Sequence, residues 1–148
     1  TGIIDAWSPW WLIWQLPAAL VFLTAATAEL NRPPFDTPIA DAEIVMGPFT
    51  EYGGLRFAFF LLAEYAGIVL FSVLFAVLFL GGWRGHGDAY LGVRWTALKA
   101  LPIALLINWR RVAWPRVRAD QRQRLAWRGL VPVALAQLAL TAIVVVIR

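Results

Sequence analysis

Cysteine is absent from the 148 residues, and histidine and methionine occur once each. Without a thiolate the chain holds no cysteine-ligated iron–sulfur cluster or zinc site, and no disulfide scaffold. A single histidine, His86, argues against a haem or a histidine-based metal centre. No metal ligands and no cofactor of the chain's own are therefore expected. Charge is also scarce, at 15% of residues, where soluble domains carry about 25%. That excludes a disordered chain and an ordinary soluble globular domain. Lysine occurs only at Lys99, and the other 12 of the 13 cations are arginines.

What remains is apolar. Hydrophobic residues make up 61% of the chain, with 9 Trp and 9 Phe, and the mean hydropathy is +0.68. A net charge of +4 in a soluble protein would suggest nucleic acid. In a chain this apolar it reads as a membrane topology signal, and nucleic acid is not an expected partner. The chain opens at Thr1, with no secretory signal pattern before the tryptophan-rich segment. It reads as a piece of a longer protein, with a processed chain as the alternative.

A transmembrane helix needs about 20 mostly apolar residues. Hydropathy places such helices over about 7–28, 57–83, 93–109 and 129–147, which predicts one all-α transmembrane domain of about four spans across residues 1–148. Pro17 and Pro102 are expected to kink the first and third, an arrangement tolerated when neighbours satisfy the freed carbonyls. Lys99 lies near enough to the start of the third helix to snorkel to the interface. Trp7, Trp10, Trp11, Trp14, Trp83, Trp95, Trp109 and Trp127 all fall at the ends of these segments. There an indole keeps an apolar face and one hydrogen bond to the wet side.

Orientation follows from arginine. The loop 110–128 carries Arg110, Arg111, Arg116, Arg118, Arg122, Arg124 and Arg128, which assigns it to the cytoplasm. The loop 29–56 then shares that side. As a topology signal the arginine loop needs no further role. It also fits an anionic-lipid patch or a protein-docking surface, and Asp120 within it is an acid that a pure lipid patch would not require.

The loop 29–56 is compositionally distinct. Glu29, Asp36, Asp41, Glu43 and Glu51 accompany Arg32 and the prolines Pro33, Pro34, Pro38 and Pro48. Prolines at 33, 34 and 38 forbid a regular helix and stiffen the backbone, so a structured acidic loop is expected. A plain solvated acidic loop with an Arg32–Asp36 surface pair remains the bland alternative. Glu64 is a sharper signal, because it lies within an apolar helix. An unpartnered carboxylate in hydrocarbon costs at least about 2.5–3.5 kcal/mol on insertion scales, so it must face the bundle interior, have a partner, or be protonated. Proton relays use such residues, with Glu29 as a candidate next station. A structural hydrogen bond to a neighbouring helix is the other reading.

Several strings together closely resemble one membrane-subunit family of respiratory complex I, a proton-pumping NADH:quinone oxidoreductase. It is the subunit 1 family, also called the H family. The strings are Ala28-Glu29-x-Asn31-Arg32-x-Pro34-Phe35-Asp36, Thr50-Glu51-Tyr52-x-Gly54, Leu62-Ala63-Glu64-Tyr65, Leu80-Gly81-Gly82-Trp83 and Trp109-x-Arg111-x-x-x-Pro115-Arg116-x-Arg118-x-Asp120-Gln121. Family members are about twice this length, and the chain resembles their C-terminal half. The resemblance implies a component of the translocase in a bacterial inner membrane, with no redox centre of its own and no activity alone. Other membrane and peripheral-arm subunits and the bilayer would be its partners, and quinone its substrate. Glu29 and Glu64 would be proton-path carboxylates. Arg32, Phe35, Asp36, Asp41, Glu43, Glu51, Arg111, Arg118 and Asp120 would form the quinone chamber and its charged surroundings.

The chain departs from the family pattern at Ile39, where a carboxylate is usual, at the shorter Asp41 and at Ala119 in place of tyrosine. These departures would suit a divergent copy of the enzyme, or a relative using another electron donor. The homologous membrane subunit of a membrane-bound hydrogenase or formate-hydrogen-lyase type complex is the alternative reading. An independent proton-coupled transporter would explain Glu64 but not two charged loops on one side.

Overall fold

The computed structural model describes residues 9–31, 34–35, 52–83, 92–115 and 117–147. Every regular element among them is helical: α1 (Pro9–Trp14), α2 (Leu16–Glu29), α3 (Leu55–Phe79), α4 (Gly92–Ala113), α5 (Ala119–Leu125), a π-helical turn (Ala126–Leu130) and α6 (Val131–Ile147). α3 and the continuous stretch Asp120–Val146 are long and apolar enough to cross a bilayer. α2 is apolar but has 14 residues, and α4 carries Arg94, Lys99, Arg110 and Arg111. The chain is an all-α membrane protein.

α3 packs most extensively against α4, while α2 lies between α3 and α6. The core is built where α2 meets α3. Ala19, Phe75 and Phe79 are buried, with Leu12, Ala18, Phe22, Leu23, Leu80 and Ile103 packed around them. Phe22 of α2 contacts the rings of Phe71, Phe75 and Phe79 at centroid distances of 6.3, 6.0 and 5.7 Å. Such tilted ring pairs add to the gain from burial. The outward faces of α3 and α6 carry leucine, valine and isoleucine exposed from the bundle. No helix in water would leave so much apolar surface open, and a bilayer removes that cost.

Pro17 lies just after a one-residue interruption of the first helical segment, at Gln15. Its ring and missing N–H disrupt the turn before it, so α1 ends at Trp14 and α2 begins at Leu16 across Gln15. Gln15 N–H still donates to Trp11 O at 2.8 Å, and Ala19 N–H donates to Gln15 O at 2.9 Å. Gln137 of α6 completes the repair by donating its amide Nε2 to Trp14 O at 2.7 Å. The most polar side chain of an otherwise apolar helix is thus spent on backbone at a helix break. Pro102, by contrast, lies inside an uninterrupted α4. Hydroxyls on the helices are satisfied locally. Thr24, Thr27, Ser72, Thr96 and Thr141 all donate to carbonyls one turn back.

The end of α3 is held by Lys99. After Phe79 the backbone turns through Gly81 (φ 72°) and Gly82 (φ 50°), a left-handed region that favours glycine. Gly82 N–H donates to Ala76 O at 2.9 Å. Lys99 Nζ reaches across from α4 and donates to Leu80 O at 2.9 Å and Gly82 O at 3.1 Å. Its ammonium thus fastens one helix end to the next rather than only seeking water. Gly92 opens α4 where a Cβ would come within 2.9 Å of Trp83 Cβ, so this residue must be small.

Candidate functional site

The end of α2 and the segment before α5 meet at one end of the bundle. α2 closes with Glu29, which is exposed, and Leu30, whose N–H donates to Ala26 O at 3.1 Å. Asn31 follows at φ 45°, the left-handed position that ends many helices and that asparagine tolerates. Leu30 also sets the depth of α2 against α3. Its Cδ2 lies 2.6 Å from where a Cβ on Gly67 would be. Gly67 is three residues beyond Glu64 on α3, so this contact brings the Glu29 end of α2 to the level of α3 that carries Glu64. Glu64 is half-buried there.

Pro34 and Phe35 are buried, with Phe35 only 3% exposed. Pro34 is held by the segment leading into α5, and Phe35 by α5 itself. Val117 N–H donates to Pro34 O at 2.9 Å, and Arg122 Nη1 makes a longer contact of 3.4 Å with Phe35 O. The backbone that follows Glu29-x-Asn31 is therefore anchored to the arginine-rich stretch, more than 80 residues away in sequence. This anchored junction is the part of the candidate site that the described residues show.

Arg118 and Asp120 sit on the far side of the junction. Arg118 is exposed and precedes the first turn of α5. Its backbone N–H reaches Gln121 Oε1 at 3.4 Å, and its carbonyl accepts from Arg122 N–H at 3.0 Å. Asp120 is exposed in the first turn of α5, where a negative charge suits the helix dipole. Arg111 lies on α4 by its backbone. The expected site residues Arg32, Asp36, Asp41, Glu43 and Glu51 lie outside the described residues.

One functional-looking group was not singled out by sequence. Arg110 is 7% exposed. Its Nη1 makes a long contact of 3.5 Å with Leu23 O of α2, and its guanidinium carbon lies 4.6 Å from the Trp114 ring centroid. Its Nε and Nη2 are buried without an acceptor. Burial disfavours the charged form and lowers its pKa from the ordinary arginine value. The signal was present in the periodicity. Ala100, Ile103 and Ile107 face inward along α4, and the next position on that stripe is Arg110.

The protein-family model for NADH dehydrogenase matches residues 1–142. The H subunit of the NADH-quinone oxidoreductase from Geobacillus kaustophilus is 46% identical over 147 residues, which covers 96% of this chain and 44% of that protein. Its counterpart from Anoxybacillus flavithermus is 48% identical over 139 residues, 91% of this chain and 41% of the relative. The one from Thermomicrobium roseum is 48% identical over 136 residues, 91% of this chain and 39% of the relative. The chain thus spans about two-fifths of the length of the curated relatives it matches.

Proposed function

The chain belongs to the NADH dehydrogenase family, and from that premise we propose that it is part of the membrane subunit of a proton-pumping NADH:quinone oxidoreductase in a bacterial inner membrane. In this reading it helps form the chamber that receives the quinone headgroup, and its carboxylates open the proton path into the membrane arm. Neighbouring membrane and peripheral-arm subunits complete the enzyme, and the redox centres lie on them.

The observation that carries the reading is the anchored Pro34–Phe35 segment. A chamber for an uncharged, planar headgroup needs a wall that holds its shape when the ligand leaves. Two backbone carbonyls bound from a distant helix start provide such a wall, and the buried Phe35 ring fixes its depth. Arg32, Asp36, Asp41, Glu43, Glu51, Arg111, Arg118 and Asp120 supply the charged surroundings of that wall. Glu29 and Glu64 lie at one level of the α2–α3 pair, set by the Leu30–Gly67 contact, and this supports their role as successive carboxylates on the proton path. The names of the relatives favour this reading over the hydrogenase-type alternative.

The test is a Phe35→Ala substitution in the full-length protein within its assembled complex. The expected result is a several-fold fall in quinone-linked NADH oxidation, with NADH oxidation by a soluble artificial acceptor unchanged. Loss of Phe35 without effect on quinone-linked oxidation in a fully assembled complex would count against a chamber wall here.

A further inference from the structure

α5, the π-helical turn and α6 form one continuous helical stretch, and its polar start is built differently from its apolar body. Asp120, Gln123, Arg124, Trp127 and Arg128 line an open cleft along one side of this start. They recur at helical spacing, so Arg124 and Arg128 stand one turn apart with Trp127 beside them. All five are exposed, and Trp127 is 69% exposed.

Position along the stretch says what the cleft faces. The apolar window within Asp120–Val146 has no buried residue, so the face of α6 turned away from α2 is uncovered within this chain. α6 has 17 residues, which at 1.5 Å per residue gives about 25 Å, close to the thickness of a bilayer's hydrocarbon core. The residues just before Val131 then lie at headgroup depth, where an exposed tryptophan is most stable.

We propose that this cleft binds the headgroup of an anionic phospholipid, with phosphatidylglycerol as the fitting chemistry. Two guanidiniums and one carboxylate give the cleft a net charge of one positive unit, which matches a phosphodiester carrying one negative charge. Arg124 and Arg128 present planar donors suited to phosphate oxygens, and the Gln123 amide adds a neutral donor. Asp120 accepts from the headgroup hydroxyls. The Trp127 indole covers the glycerol region, and the acyl chains follow the exposed Val131, Leu135 and Leu138 of α6. The site goes beyond the quinone reading and shares only Asp120 with the charged surroundings proposed there.

The experiment uses the full-length protein, purified from its own membranes with the subunits that accompany it. Phosphatidylglycerol retained per copy is counted by mass spectrometry, and phosphatidylglycerol, phosphatidylcholine and inorganic phosphate are each titrated onto delipidated protein. Arg124→Gln with Arg128→Gln should remove about one retained phosphatidylglycerol per copy and weaken its titrated binding at least tenfold. Arg94→Gln, the loss of an exposed cation elsewhere, should change neither, and matched thermal unfolding shows that the variants fold. Equal retention of phosphatidylglycerol in the double variant overturns the proposal. So does phosphatidylcholine binding as well as phosphatidylglycerol, or millimolar inorganic phosphate displacing the lipid. A photo-crosslinker at Gln123 should capture lipid in native membranes, and capture of a protein subunit would assign the cleft to a protein partner instead.

Discussion

Arg110 on α4 and Glu64 on α3 are both ionisable groups within the helical bundle. Arg110 is almost fully enclosed, with its guanidinium over Trp114 and two N–H groups lacking an acceptor. A buried charge of this kind costs more than its few contacts return, so an apolar replacement of similar length is tolerated. Arg110→Met should therefore leave the thermal unfolding midpoint of the assembled protein unchanged or raised. A midpoint lowered by many degrees would mean that Arg110 has an acceptor supplied from elsewhere in the assembly. Gly67 is a residue-scale constraint of another sort. The end of the Leu30 side chain fills the space of its absent Cβ. Because Leu30 Cδ2 can rotate away, Gly67→Ala should cost little. Gly67→Phe should cost about 1–3 kcal/mol, read as a lower unfolding midpoint, by pushing the Glu29 end of α2 off α3.

At the scale of elements, two side chains bind helix ends that the chain itself leaves open. Gln137→Leu removes the donor to Trp14 O at the α1–α2 break and should destabilise the assembled protein by about 1 kcal/mol. Lys99→Met frees the carbonyls of Leu80 and Gly82 and should cost somewhat more, since its donor is charged. Thermal unfolding of the two variants against wild type checks both. Much of the helical layout was readable beforehand, because lipid demands long apolar runs and hydropathy finds them. Beside Pro17 the helix is interrupted at Gln15, and Trp14 O there takes its donor from a distant helix, α6. That donor is a tertiary fact, invisible to local pattern. The helix at Ala119–Leu125 was also hidden. Its glutamines and arginines favour helix but show no apolar period. Motif strings raised the expectation that Phe35 and Arg118 are site residues. Nothing local announced that Val117 and Arg122 hold the Pro34–Phe35 backbone, since those bonds join two distant segments.

For the whole molecule, the apolar outer faces of α3 and α6 and the concentration of charge at a few places describe one design. The bilayer accounts for the bulk of the surface, and the scarce charges stand where helices end or where a polar path would start. The proposed function gives these positions a shared purpose, a quinone chamber beside the start of a proton path. Its central claim is that Glu64 carries protons rather than only fastening helices. The most direct test is the number of protons translocated per NADH oxidised in inverted membrane vesicles containing the assembled complex with Glu64→Gln in the full-length protein. Normal assembly is expected, with a clear fall in that ratio or a several-fold fall in the coupled rate, and substantial recovery in Glu64→Asp. Wild-type proton translocation at the wild-type rate in a well-assembled Glu64→Gln complex would contradict it.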